Sequence, residues 1–148
     1  MCLKVKNGCE PTIASGDIAV YKIVTHRNMS RYESAYRCTR EHYNKCVEAR
    51  DDSVNEFPVI GKLKVRDAAN GGEIHAGLHA YLEHGRAMIA LSMVGMVGLR
   101  GFGLRVCRAV IPKGAECCLG MNGDIVATEM IVFGSYRSYL KYKENKTE

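Results

Sequence analysis

Three groups of side chains have types and spacings that suit chemistry. Cys38, His42 and Cys46 recur every four residues, so on a helix each neighbouring pair can clasp a metal ion. The trio cannot share one ion. Eight residues of helix rise about 12 Å, whereas zinc ligands lie about 2.0–2.3 Å from the metal. No Cys-x-x-Cys knuckle occurs, and the adjacent Cys117 and Cys118 point to opposite faces of a strand. No metal site is therefore expected. His75, His79 and His84 form the second group. His75-x-x-x-His79 suits a metal only on a helix, which Gly77 weakens, and Ala76 stands where a metalloprotease has glutamate. On a strand the two imidazoles are about 13 Å apart. The plain expectation is one packed histidine, His79, and two exposed ones. The third group is Cys2. Removal of Met1 would leave an α-amine, of pKa about 7.7–8.0, able to act as base to its own thiol. N-terminal-nucleophile amidohydrolases start this way but usually need larger layered folds. Intact mass reads the state of Met1.

Glycines 95, 98, 101 and 103 match a phosphate-cradling loop only in number. No Gly-Lys-Ser/Thr opens a helix there, and the order helix, glycines, strand reverses the dinucleotide fingerprint. A flexible connection is expected. No Gly-x-Ser-x-Gly elbow is present.

The elements that must position these groups belong to one domain, since 148 residues suffice for a single core. Hydrophobic content of 47% with only 3 prolines excludes a disordered or collagen-like chain. A net charge of +5 is mild, and the basic residues are scattered, Arg100, Arg105 and Arg108 being the nearest thing to a cluster. Nucleic acid is thus not the expected partner. The start turns polar at once, without the apolar stretch of a secretory signal, which predicts a cytoplasmic protein. Its seven cysteines, an odd number, then read as thiols, most of them small buried hydrophobes. The apolar run Ala87 to Leu99 is too short and glycine-rich to span a membrane and reads as a buried core segment.

Along the chain, Asp17 to Val24 predicts a central strand. Ser30 and Glu33 fit a capping box, with a helix behind them carrying Tyr32, Ala35, Tyr36, Tyr43, Cys46 and Val47 on one face. A loop follows to Pro58, then a short strand within Val59 to Arg66 and a turn at Asn70-Gly71-Gly72. A helix is predicted from about Leu82 to Met93 and a strand from Leu104 to Ile111. Pro112-Lys113-Gly114 suits a tight turn with proline second. Ala115 to Leu119 and Asp124 to Phe133 flank Asn122-Gly123, the signature of a type I′ hairpin. These elements predict an α+β domain over residues 1–134, on an antiparallel or mixed sheet with one or two helices and a C-terminal β-hairpin. Residues 135–148 are a polar, basic tail on which Tyr136, Tyr139 and Leu140 can dock.

Several segments in this order carry a resemblance. They are Met1-Cys2-Leu3, Ile13-Ala14, Asp17-Ile18, Tyr21-Lys22, Gly77-Leu78-His79-Ala80-Tyr81, Ile111-Pro112-Lys113-Gly114, Gly123 and Ala127-Thr128-Glu129-Met130-Ile131. Together they resemble a group of uncharacterised small proteins encoded by gut bacteria and their phages, over about two thirds of the chain. That group has Phe where this chain has Leu78, and Ser-Asp where it has Thr128-Glu129. It reads more like strands through Tyr32–Arg50, and it implies no particular activity. A more distant architectural likeness is to ADP-ribosyltransferases. That likeness implies Tyr21 or Lys22 as cofactor-binding residues for NAD and His79, Tyr81 and Glu129 as the catalytic set, a ring stacking nicotinamide and a carboxylate holding the ribose.

The expected function is non-catalytic binding of a small ligand or protein partner, without metal or cofactor. The alternatives are an ADP-ribosyltransferase-like enzyme using NAD and a hydrolase with Cys2 as nucleophile.

Overall fold

A computed structural model of the chain describes residues 3–28, 31–34, 54–57, 61–74, 76–96 and 104–147. In chain order these form β1 (Leu3–Lys4), β2 (Thr12–Ile13), β3 (Ile18–Asn28), β4 (Arg31–Ser34), β5 (Val54–Phe57), β6 (Val65–Arg66) and β7 (Glu73–Ile74). They continue with β8 (Leu78–Tyr81), α1 (His84–Met96), β9 (Leu104–Ile111), β10 (Glu116–Leu119), β11 (Asp124–Ala127), β12 (Met130–Phe133) and α2 (Tyr136–Thr147). The large sheet runs β2-β10-β11-β8-β3-β9-β12-β5, with β4 also paired to β3, and a small sheet runs β1-β7-β6. All these pairings are antiparallel, so the fold is α+β.

The large sheet must curl onto itself. Four strand spacings, about 19 Å if flat, separate β11 from β12 along the sheet. Yet only Thr128 and Glu129 join them, a link that reaches about 11 Å at full stretch. The tight turn between β9 and β10 imposes the same closure, because these strands are also four spacings apart. Curling gives the sheet an inner face, which alternating residues fill: Val20 and Val24, Leu78 and Ala80, Cys107, Ala109 and Ile111, Ile125 and Ala127, Met130 and Val132. Lys22 falls between Val20 and Val24 in this alternation and is fully buried. Its Nζ donates to the His79 carbonyl at 2.7 Å.

Three smaller clusters cover the outer face. Leu3, Val5, Leu63 and Ile74 pack on Cys118 and Val126. Ile23, Tyr81 and Val106 receive Ala90 and Leu91 of α1. Val110 and Phe133 receive Tyr139 and Tyr142 of α2. The polar terminal stretch is thus a docked helix from Tyr136 onward. Its far end is tied down at Asp17, which accepts from Lys146 Nζ at 2.7 Å and the Tyr142 hydroxyl at 3.1 Å.

Several expectations are corrected. The helix expected behind Ser30 and Glu33 is not formed at Arg31–Ser34, which is a strand on β3 with Tyr32 opposite His26 and Glu33 opposite Thr25, while Ser30 itself lies outside the described residues. The ladder satisfies backbone groups that a cap would otherwise serve. The rest of that helix, with Cys38, His42 and Cys46, lies outside the described residues, as do Met1, Cys2 and His75. Of the strand within Val59–Arg66, only Val65–Arg66 is formed among the described residues. The Ala87–Leu99 run is not a buried segment where described: Ala87 is buried, but Met88, Ile89 and Met93 are exposed on α1.

Both glycine turns differ in type. Ala115 N–H donates to the Pro112 carbonyl at 3.1 Å, so proline is first, Lys113 second and Gly114, at φ +93°, third. That is the type II pattern, which needs a left-handed third residue. At the second turn Gly123 has φ +71° but Asn122 does not share it. Gly120 N–H meets the Asp124 carbonyl at 2.8 Å, closing a three-residue loop that ends in a left-handed glycine. The predicted strand Asp124–Phe133 is broken at Thr128-Glu129, where the chain crosses from β8's neighbour to β9's.

Close approach matters at Gly120. A Cβ there would meet the Asp124 carboxylate and come within 2.9 Å of Leu3 Cγ. Asp124 can swing aside, but Leu3 is fully buried. Gly120→Ala is therefore expected to destabilise the fold by about 1–3 kcal/mol, read as a lower urea midpoint at unchanged slope. No helix among the described residues is long and apolar enough to cross a membrane.

Candidate functional site

Between the first turns of α1 and α2 the outer face of the sheet opens into a cleft of about 340 Å³. Its floor comes from two central strands in register. Tyr21 of β3 is directly opposite Arg108 of β9, and the guanidinium carbon lies 5.5 Å from the Tyr21 ring centroid. His84, the first residue of α1, sets its ring edge-on to Tyr21, with centroids 5.3 Å apart and planes at 72°. From the other side Tyr136, the first residue of α2, places its ring 4.8 Å from the Arg108 guanidinium carbon, and Tyr139 lies at 5.3 Å. Arg108 is therefore held by three aromatic rings, each such contact contributing about 0.5–1 kcal/mol when exposed.

The rim is built by the start of α2. Ser135 Oγ accepts from Ser138 N–H at 3.2 Å, and Ser138 Oγ accepts from Ser135 N–H at 3.2 Å. This is a reciprocal capping box with serine in the place of glutamate. It fixes the direction in which α2 leaves Phe133-Gly134 and so the position of Tyr136. Arg105 adds a second guanidinium at the wall, donating to the Gly134 carbonyl at 3.2 Å. Among the described residues no carboxylate lines the cleft, while Arg105, Arg108 and His84 do. A partly apolar hollow with two guanidinium groups suits an anion. Of its described lining residues, Ser135 has its hydroxyl engaged in the cap and Cys107 is a buried side chain.

The residues expected to matter are distributed as follows. Tyr21 lines the cleft, whereas Lys22 faces the interior of the sheet. Tyr81 pairs with Tyr21 across the β3–β8 ladder but opens on a second cleft, of about 240 Å³, beside Arg86, Ile89, Met93 and Asp124. His79 is buried, with Nδ1 3.1 Å from the Gly77 carbonyl. A carbonyl only accepts, so Nδ1 carries the proton. Burial, reinforced by the nearby Lys22 ammonium, lowers its pKa to about 4. His84 is exposed, as the sequence predicts. Glu129 follows Ala127, which pairs with Leu78, whereas Tyr81 pairs with Asp124 at the other end of that ladder. Tyr81 and Glu129 thus stand roughly 10 Å or more apart along the strand direction. A transferase would need His79, Tyr81 and Glu129 around one ligand, and the ladder holds two of them apart.

Cys107, Cys117 and Cys118 are buried, and burial pushes Cys117 up and Cys118 up to about 11. Among the described residues no group of three or more His, Cys, Asp or Glu side chains is placed to hold a metal ion.

The sequence reading did not single out His84, Arg105, Arg108 and Tyr136 as one site. The available signals were Arg108 on the outward phase of a strand and Ser135-x-x-Ser138 ahead of a helical Tyr139. Comparison of the chain with protein-family models, with curated proteins and with solved structures finds no match in any of the three.

Proposed function

We propose that this protein is a binding domain for a small anionic ligand, seated in the cleft between α1 and α2. The observation that carries this reading is Arg108. Its guanidinium is positioned by Tyr21, Tyr136 and Tyr139 rather than by a carboxylate, in a cleft without acidic lining among the described residues. A cation fixed by ring faces keeps its N–H donors for a ligand. The concave site favours a small molecule over a flat protein surface. Among the described lining residues no nucleophile stands beside a base, which supports binding over turnover.

Thermal-shift and calorimetric titration with inorganic phosphate, citrate and a set of phosphomonoesters tests this. A ligand that binds only the native state raises the melting temperature with concentration. Arg108→Ala is expected to lose affinity tenfold or more, since a charge-assisted hydrogen bond contributes about 1.5–3 kcal/mol. The variant should remain folded, losing about 1.5–3 kcal/mol of ring contacts. If no anion shifts the melt, or Arg108→Ala binds as the parent does, the reading is wrong.

A further inference from the structure

Resting on that anion-site reading, the geometry points to a narrower ligand class: a phosphomonoester bearing one planar aromatic ring, as in a nucleoside monophosphate. Anion donors and ring faces occur in the same few ångströms. The Arg108 guanidinium carbon lies over the Tyr21 and Tyr136 rings, 5.5 and 4.8 Å from their centroids. Ring faces take up none of the guanidinium's N–H groups, which can form a fork with phosphate oxygens. The Tyr136 ring belongs to a residue that is 57% exposed, which leaves aromatic surface for a ligand ring at the rim. Tyr21 and His84, edge to face, make the opposite wall aromatic as well.

Charge and size narrow the choice further. Arg108, in a lining with no carboxylate among the described residues, offers a fork of donors that a phosphomonoester's several oxygens can meet. The volume of about 340 Å³ lies at the small end of ligand clefts, which run from about 300 to 1,000 Å³. One ring, one sugar and one phosphate fit that space, and a dinucleotide leaves half of itself outside.

The test is calorimetric titration of the full chain with inorganic phosphate, ribose 5-phosphate, adenosine, AMP and NAD. AMP is expected to bind at least about fivefold more tightly than ribose 5-phosphate, since stacking one base on an aromatic side chain is worth roughly 5- to 150-fold. Adenosine should bind more weakly than AMP by a similar factor. Tyr136→Ala, which also removes one of the rings beside Arg108, should lower AMP affinity at least about fivefold more than ribose 5-phosphate affinity, and Tyr136→Phe should retain both. Equal binding of AMP and ribose 5-phosphate overturns the ring inference and leaves the anion site standing. Adenosine binding as tightly as AMP overturns recognition of the phosphate. NAD binding more tightly than AMP overturns the one-ring limit. Absence of binding by every anion removes both this inference and the reading beneath it.

Discussion

Phe133→Ala is expected to destabilise the protein by about 3–5 kcal/mol, the usual loss for a buried aromatic side chain. Phe133 is 1% exposed and closes β12 just before the chain turns into α2. Its ring centroid lies 5.4 Å from that of Tyr139 and 5.1 Å from that of Tyr142, the two rings by which α2 sits on the sheet. A further anchor is the Asp17 cluster at the other end of the helix, and Lys146 and Asp17 are exposed enough that their ion pair contributes little. Removing the Phe133 ring therefore leaves α2 without its main apolar support. Urea unfolding should show the loss in midpoint, and far-UV circular dichroism should show less helix before the main transition. Phe133→Leu, which keeps most of the volume, should cost much less. A loss below about 1 kcal/mol for the alanine variant would mean that α2 does not pack as described. Because Phe133 and Tyr136 both line the cleft, the alanine variant should also bind anions more weakly, even under conditions where it remains folded.

The second large effect is acid sensitivity through His79. Burial and the Lys22 ammonium hold its folded-state pKa at about 4, against 6.5 when exposed. Unfolding therefore takes up a proton between those values, and stability falls as pH falls. The contribution is complete above about pH 6.5, diminishes through the interval and is gone below about 4. The gap corresponds to about 3 kcal/mol, to order of magnitude. Urea midpoints at pH 7, 6, 5 and 4.5 measure it, and His79→Asn should remove this part of the slope. Lys22→Met removes the neighbouring positive charge, so His79 should titrate at a higher pH in that variant, as followed by NMR. Asp17 acts in a lower window. Burial works to raise its pKa, but bonds from Lys146, Lys113 and Tyr142 outweigh that and leave it below 3.8. Its share is therefore present above 3.8 and lost as pH falls further. A parent protein whose midpoint is flat from pH 7 to 4.5 would contradict the burial of His79.

Much of the strand content was legible because its signals are local. Leu104–Ile111 is a strand over its whole predicted length, and Asp17–Val24 predicts most of Ile18–Asn28. Their β-branched and apolar runs favour extended backbone wherever the strand ends up. The glycines at 114 and 123 mark turns because positive φ is a property of one residue. Turn type was not legible, since it depends on which carbonyl the closing N–H meets. The two serine-headed tetrapeptides show the same limit. Ser30–Glu33 has the better capping pattern, yet the Arg31–Ser34 backbone is claimed by β3. Ser135–Ser138 has the weaker pattern and forms the box, because Phe133 and Tyr139 bring a helix onto the sheet there.

The sequence alone therefore determined an α+β domain on an antiparallel or mixed sheet, its central strands and several of its turns. All of these follow from the preferences of single residues and their near neighbours. The tertiary structure alone decided which face of each strand is inside. Lys22 sits in a run that reads as an ordinary strand, and it is buried only because a two-residue link between β11 and β12 makes the sheet curl over it. The cleft is of the same kind. Tyr21, His84, Arg108 and Tyr136 are far apart in the chain and meet only because β3 and β9 pair in one register and two helices begin beside them. No local spacing encodes such a meeting. The sheet's long-range pairing creates it, and with it a cationic, aromatic cleft from residues that read singly as ordinary surface.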